Sequence, residues 1–495
     1  MIFSLSPALD KREAADWLVL PFWEGPVKAA GHFSNPSIEA VLQSGDFKGK
    51  NGEVSIVYLQ GEKEPRVLLL GLGKKEKINA EMLRRAYANA VRAAASKKAK
   101  SLNLLVPEHR GPQRDEFILG IADGIFLTNY AFTRLKHDTL IDNPVVLLEK
   151  VCFVGFDKKD GDRIDRLKTI ASGVHFVREL VNGNADEITP RMLAETALSL
   201  EKASPRLKTI LFDRKKLEQE KMGLLLAVGR ASPHDPYLIQ TSYKGNPKSK
   251  EHIVLVGKGV TYDTGGLTLK PTDNMLTMKC DMSGAATVLG AVLTAASLGL
   301  KINVTAVAPT AENCIGSKSY KLGDVYRSYS GKTVEVNNTD AEGRLILADA
   351  LSYAVKNLAP TCLVDIASLT GSIIMALGEE ISGFFANDDQ LAKDLSVSSE
   401  KTGELLWRMP LYPDYKEALR SEIADLLNTG GRDAGPMKAA LFLQEFASIS
   451  GPIPWAHIDF AGPCCVTKPK YYNPVKGTGA CLRLLVDFLE RRSTE

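Results

Sequence analysis

Several familiar signatures are missing from this chain. Its seven cysteines (Cys152, Cys280, Cys314, Cys362, Cys464, Cys465 and Cys481) contain no C-x-x-C pair, and its seven histidines contain no H-x-x-x-H or H-E-x-x-H. A zinc site built from cysteine and histidine pairs is therefore excluded. A sparse, odd set of cysteines is expected to stay reduced and mostly buried. Any metal site must be made mainly from carboxylates. There is no G-x-S-x-G elbow either, which removes the usual serine hydrolase arrangement. An excess of one charge is also lacking: 62 Lys and Arg stand against 59 Asp and Glu, a net charge of +3. No global field draws the chain to nucleic acid or membrane. No run of eighteen apolar residues occurs, so no transmembrane helix is expected. Asp10, Lys11, Arg12, Glu13 and Asp16 interrupt the first twenty residues, where a secretory signal would need an apolar stretch. A cytoplasmic location is expected.

What is present reads as α/β. A chain of 495 residues, 44% hydrophobic and 24% charged, exceeds one ordinary core, so two domains are expected. In the first, β-rich runs at Val54–Leu59, Arg66–Leu70, Ser101–Val106 and Pro144–Val154 alternate with helical patterns at Asn79–Lys98 and Ile118–Phe132. The polar stretch Asp157–Asp162 marks a boundary, and Ile164–Val181 carries a one-sided apolar stripe at helical spacing. Strands at Thr209–Phe212, Ile253–Val256, Lys301–Ala308, Leu363–Ala367 and His457–Phe460 then alternate with helices. The expected architecture is an N-terminal α/β domain (residues 1–160), a connector helix (161–181) and a C-terminal domain (182–495). Each domain holds a central, mostly parallel or mixed sheet flanked by helices. Thr429–Pro436 is the one conspicuous flexible loop, open to a lid or a surface crossing, with the surface crossing favoured.

Chemistry gathers in two stretches. In Asn338-Thr339-Asp340-Ala341-Glu342-Gly343-Arg344-Leu345, two acids stand two positions apart, so in extended chain both point one way. Two carboxylates facing one place repel unless a positive charge lies between them, and a divalent cation with oxygen ligands meets that need. Taken alone, the same acids also suit a helix N-terminus. The second stretch, Val256–Ala286, leaves a buried strand at Gly257 and carries Lys258, Asp263, Lys270 and Asp281. In open α/β sheets ligands bind beyond the carboxyl ends of strands, so these side chains lie where a site belongs. Rival motifs fail. Gly71-Leu72-Gly73 lacks its third glycine, Gly257-Lys258-Gly259 has Tyr262 where a dinucleotide fingerprint needs glycine, and Gly331-Lys332-Thr333 has Tyr326 where a P-loop would begin.

With these residues the chain resembles the leucyl aminopeptidases, cytosolic peptidases with a dinuclear metal site. NTDAEGRL is that family's signature, and the GKG-x-x-x-D-x-GG-x-x-x-K-P and M-x-x-D-M-x-GAA blocks also match. The match runs from about Asn182 to the C-terminus and is loose before it. The resemblance implies a site at the strand ends of the C-terminal domain, with the N-terminal domain serving assembly or regulation. It implies that Lys258, Asp263, Asp281, Asp340 and Glu342 hold two divalent cations, Mn²⁺ or Zn²⁺, with Mg²⁺ a further option in the looser site. Asp263 and Glu342 would bridge the pair, and Lys258 would bind as a neutral amine. It implies Lys270 and Arg344 as the catalytic basic residues, with Arg344 gripping a bicarbonate ion as general base. Met278, Gly343, Leu369, Thr370 and Gly371 would line the substrate and bicarbonate positions. The implied reaction is release of N-terminal residues, leucine and similar apolar ones preferred, by attack of a hydroxide activated by the two metals. A homohexamer, a dimer of trimers, is implied as well.

Two other readings stand beside this one. Some bacterial relatives bind DNA, against which the near-neutral charge speaks, and another dinuclear hydrolase such as a phosphoesterase is disfavoured by a lysine among the ligands. Other residues carry less. His457 and Asp459 share one face of a strand and suit an outer-shell or a structural role, the structural one favoured; Cys280 is placed to tune the site but reads foremost as a buried spectator, and His234-Asp235 as a turn. The chain departs from the family at Gly183-Asn184, where a small residue and a proline are common, which bears on the domain junction alone.

Overall fold

The computed structural model describes residues 1–25, 33, 35–107 and 113–493. The chain forms two units, Met1–Ser172 with Lys468–Pro474, and Gly173–Thr467 with Val475–Glu495.

The first unit is built on six strands: β1 (Ile2–Ser6), β2 (Trp17–Phe22), β3 (Val54–Tyr58), β4 (Arg66–Gly71), β5 (Ser101–Leu105) and β6 (Lys150–Val154). Their order is β1-β6-β5-β2-β4-β3, parallel throughout except for the β3–β4 pair at one edge. All six residues of β2 are buried. Such a central strand lacks polar alternation, which is why its sequence, WLVLPF, gives little periodic signal. The strand expected from Pro144 shortens to Lys150–Val154, and Val145 and Leu147 before it are exposed. The polar stretch at Asp157 is the capped start of a helix, Gly161–Asn182, within which the two units divide. Asp160 accepts from the Asp157 N–H and Asp157 from the Lys159 N–H, both at 2.8 Å.

The second unit holds a larger sheet. Its strands begin with β7 (Leu207–Phe212), β8 (Tyr237–Lys244), β9 (His252–Gly257), β10 (Gly259–Asp263) and β11 (Asn303–Asn313). A side hairpin of β12 (Val325–Arg327) and β13 (Thr333–Glu335) follows, then β14 (Cys362–Ala367), β15 (Ser382–Ala386), β16 (Leu406–Arg408), β17 (Leu426–Leu427) and β18 (Trp455–Asp459). The main order is β16-β15-β18-β14-β9-β11-β8-β7, with β10 also paired to β11, while β17 adds to the β12–β13 hairpin. The centre, β18-β14-β9-β11, is parallel, so these four strands deliver their carboxyl ends to one side. Two helices, Ser283–Ser297 and Glu342–Leu358, are buried almost all round. Within Thr272–Ser297 an eighteen-residue window has the composition of a membrane span, yet 83% of that window is buried inside the fold, as befits a core helix.

Candidate metal centre

The loops beyond these strand ends bring the predicted side chains together. Lys258 follows β9 directly and Asp263 closes β10. Asp281 comes at the end of the single-turn helix Met278–Cys280, and Glu342, Gly343 and Arg344 form the first turn of the helix Glu342–Leu358. Lys258 Nζ lies 2.9 Å from Asp281 Oδ2 and 2.8 Å from Glu342 Oε1. Lys270 Nζ lies 2.9 Å from Asp263 Oδ2 and 2.5 Å from Asp340 Oδ1. Asp263, Asp340 and Glu342 each present an oxygen within 4.8 Å of the others.

Fixed partners hold the acids from behind. Asp263 Oδ1 accepts the Gly265 N–H and the Asn313 amide, each at 2.8 Å. Asp281 Oδ1 accepts the Ser368 hydroxyl at 2.8 Å, and the Ser368 carbonyl accepts Lys258 Nζ at 3.1 Å. One residue at the end of β14 therefore touches both Lys258 and Asp281. Thr339 ties the Asp340 turn to the glycine turn, donating to the Gly265 carbonyl at 2.7 Å and accepting the Thr268 N–H at 2.8 Å. Gly265 sits at φ +85°, and a side chain there would meet the Thr268 carbonyl at 2.4 Å and Asp340 Oδ1 at 2.7 Å.

The charges do not balance. Four carboxylates face two ammonium groups in these ion pairs. Burial, together with the neighbouring Glu342 charge, pushes the Asp263 carboxyl up to about 6. Burial raises Asp281 and Asp340 too. Glu342 is pushed up by burial, but Lys258 and Lys270 outweigh that and hold it below the usual range. Burial also opposes the charge on Lys258, yet Asp281, Glu342 and Asp263 hold its ammonium well above the ordinary value. The residues by themselves thus keep Lys258 charged. Glu342 Oε2 is buried without a hydrogen-bond partner. A buried, oxygen-rich cluster with surplus negative charge and an unpaired carboxylate oxygen is chemically suited to hard or borderline divalent cations.

Arg344 stands two residues after Glu342 in the same first turn. Its Nη1 donates to the Asn428 carbonyl at 2.9 Å, while its buried Nε has no partner. Burial lowers the guanidinium to about 10, against the opposing pull of Glu342 and Asp459. The Leu369 and Thr370 N–H groups donate to Asp459 Oδ1 at 3.1 and 3.4 Å, and the Thr370 hydroxyl to Asp459 Oδ2 at 2.6 Å. Gly371, exposed, begins the next helix with open space where a side chain would stand. Met278 is half-buried in the turn leading into Asp281, whose N–H its carbonyl accepts at 3.2 Å.

Chemical type alone did not point to Asn313, Ser368, Thr339 and Asn428, because neutral side chains of these kinds are common in loops. Their positions were the available signal: Asn313 ends β11, and Ser368 follows β14 directly. His457 and Asp459 do share a strand face but have different partners. His457 Nδ1 lies 2.5 Å from Asp365 Oδ1 in the core, while Asp459 reaches forward to the Leu369–Thr370 loop. Cys280 is buried, and all seven cysteines are free.

Residues 175–486 match the cytosol aminopeptidase family, catalytic domain, and residues 19–139 match that family's N-terminal domain. The chain belongs to the cytosol aminopeptidase family. Its enzyme class is accordingly that of an aminopeptidase, a hydrolase. It is 51% identical to a probable cytosol aminopeptidase of Protochlamydia amoebophila (strain UWE25), covering 100% of this chain and 99% of the relative. A probable cytosol aminopeptidase of Chlamydia felis (strain Fe/C-56) is 44% identical, with 99% of each chain covered. Among solved structures, the bottromycin maturation enzyme BotP superposes with a TM-score of 0.87 at 31% identity, over 97% of this chain and 100% of that one.

Proposed function

We propose that this aminopeptidase uses two divalent cations, held by Lys258, Asp263, Asp281, Asp340 and Glu342, to release N-terminal residues from peptides, leucine and similar apolar ones foremost. The observation that carries this reading is the buried surplus of carboxylates, with oxygens of Asp263, Asp340 and Glu342 within 4.8 Å of one another. When bound, the cations supply Lewis acidity toward a peptide carbonyl and toward water. The remaining work falls to the chain. Lys270, with its side chain only 14% exposed, presents an ammonium at the rim of the cluster. There it stabilises the negative charge that builds on the carbonyl oxygen during attack. With the carboxylates offset by the cations, a free α-amino group would serve as one further neutral ligand there, which favours a substrate with an unblocked N-terminus. Arg344 offers its unpartnered Nε to a planar anion, for which bicarbonate as general base is the family's answer.

Mn²⁺ or Zn²⁺ suits this donor set, with Mg²⁺ a third option on the Asp340 side, where the carboxylate is half-buried. The family resemblance supports a cytoplasmic homohexamer built as a dimer of trimers. It also supports catalysis by residues 182–495, assembly or regulation by residues 1–160, and residues 161–181 as connector. The deciding experiment compares the wild type with Glu342→Gln on leucyl-p-nitroanilide and on an N-acetylated control, alongside elemental analysis. We expect cleavage of the free substrate alone, and loss of turnover in a variant that stays folded. Near-normal turnover by Glu342→Gln would refute the cation assignment.

A further inference from the structure

The turn that carries Asp340 is held in place by a residue about ninety positions away. Asn428 follows β17, which pairs parallel to β13, and its backbone N–H extends that ladder by donating to the Glu335 carbonyl at 2.9 Å. The pairing sets the Asn428 side chain, fully buried, against residues 337–341. Its Oδ1 accepts the N–H groups of Asn337 and Asn338, at 2.9 and 3.3 Å. Its Nδ2 donates to the carbonyls of Asn338 and Ala341, at 2.6 and 3.4 Å. A side-chain amide has one acceptor oxygen with two lone pairs and two N–H donors, so the whole capacity of Asn428 is spent on this turn. Its backbone carbonyl in turn receives Arg344 Nη1 at 2.9 Å.

The turn needs such a brace. Two bonds within it close it, Asp340 N–H to Asn338 Oδ1 at 2.8 Å and Ala341 N–H to the Asn338 carbonyl at 3.4 Å, and Thr339 ties its middle to Gly265, Thr268, Asn313 and Tyr320, which leaves its two ends to Asn428. Asp340 is also the least buried of the four clustered acids, so packing constrains it less than the other three. We propose that Asn428 is a positioning residue for the cation site. It fixes the backbone of residues 337–341 so that Asp340 faces Asp263 and Glu342, and it leaves Arg344 Nε free by occupying Nη1. Asn428 touches none of the reacting atoms and acts through Asp340 and Arg344. This inference rests on the two-cation reading above.

Asn428→Asp is the sharpest probe because it has the same shape. The acceptor toward Asn337 and Asn338 survives, while an oxygen replaces the donor toward two carbonyls. Asn428→Ala is the second variant. The measurements are Mn²⁺ affinity of the chelator-stripped full-length protein, kcat and KM on leucyl-p-nitroanilide, and the melting temperature. Both variants are expected to stay folded and to bind Mn²⁺ about 10–100-fold more weakly, with kcat falling by a similar factor and KM moving far less. Introduced into Asp340→Asn, the Asn428 substitutions should add little to the loss of Mn²⁺ affinity, since the residue they act through is already changed. Wild-type Mn²⁺ affinity in a folded Asn428→Asp, an undiminished further loss in the Asp340→Asn background, or loss of the fold in both variants would each overturn the proposal. If the Mn²⁺ results come out as expected while the wild type releases no leucine, the functional reading falls and the role of Asn428 stands.

Discussion

Lys258 lies flat against Gly343. A side-chain carbon on Gly343 would come within 2.6 Å of Lys258 Cε and 2.7 Å of its Nζ. The glycine is therefore required by what it faces, because it lies in a helical turn where alanine is otherwise the better residue. Gly343→Ala makes these two effects oppose each other. The helix gains propensity, while Lys258 must move off Asp281 and Glu342. We expect a variant that stays folded but loses at least about tenfold in Mn²⁺ affinity and in kcat, as when a ligand's support is removed. Calorimetric titration with Mn²⁺ beside a leucyl amide assay checks this. Unchanged Mn²⁺ binding would mean that Lys258 takes no part in holding the cations.

The raised Asp263 gives a pH dependence whose sign differs with and without cations. Burial lifts this carboxyl from an ordinary value of 3.8 to about 6. A carboxyl raised on folding contributes stability that is complete below the unfolded value and is lost as pH climbs through the folded one. In chelator-treated protein this contribution should therefore fade between about pH 4 and pH 6. Mn²⁺ requires the ionised form, so its affinity should grow across the same window, with proton release on binding. Asp281 and Asp340, raised as well, act in the same direction, while Glu342, lowered, acts in the opposite one. Melting curves of the stripped protein against Asp263→Asn, from pH 4 to 7, isolate the effect, since the variant should lack that part of the slope. A wild type and variant with parallel pH profiles would rule it out.

How far the sequence alone led follows from the same geometry. Asp340 and Glu342 were conspicuous because two acids at a two-residue spacing, beside an arginine, need a reason to exist. Lys258 and Asp263 were conspicuous because they follow an apolar strand at a glycine. Charged groups near strand ends announce themselves in this way. β2 did not, because a strand buried on both faces has no alternation to read. Asp459 is less legible for a related reason. Strand alternation grouped it with His457, and only the parallel register of β14 with β18 places it beside the loop after Ala367. Ser368 depends on that same loop. Non-local pairing of this kind leaves no trace in local spacing.

Arg344 tests whether an anion belongs to the reaction. Its guanidinium is buried, donates one bond to the Asn428 carbonyl and keeps Nε unpaired. Burial lowers it only to about 10, so it remains charged at neutral pH. A planar fork of this kind grips a carbonate-like anion through parallel bonds, which a lysine ammonium cannot reproduce. Arg344→Ala should therefore slow turnover about 10–100-fold while cation content stays at the wild-type level, a milder loss than that of Glu342→Gln. Arg344→Lys should recover little of that loss. In carbonate-free buffer the wild type should gain rate as bicarbonate is added, and Arg344→Ala should gain almost none. Strong stimulation of the alanine variant by bicarbonate would show that the anion, if it acts at all, is held elsewhere.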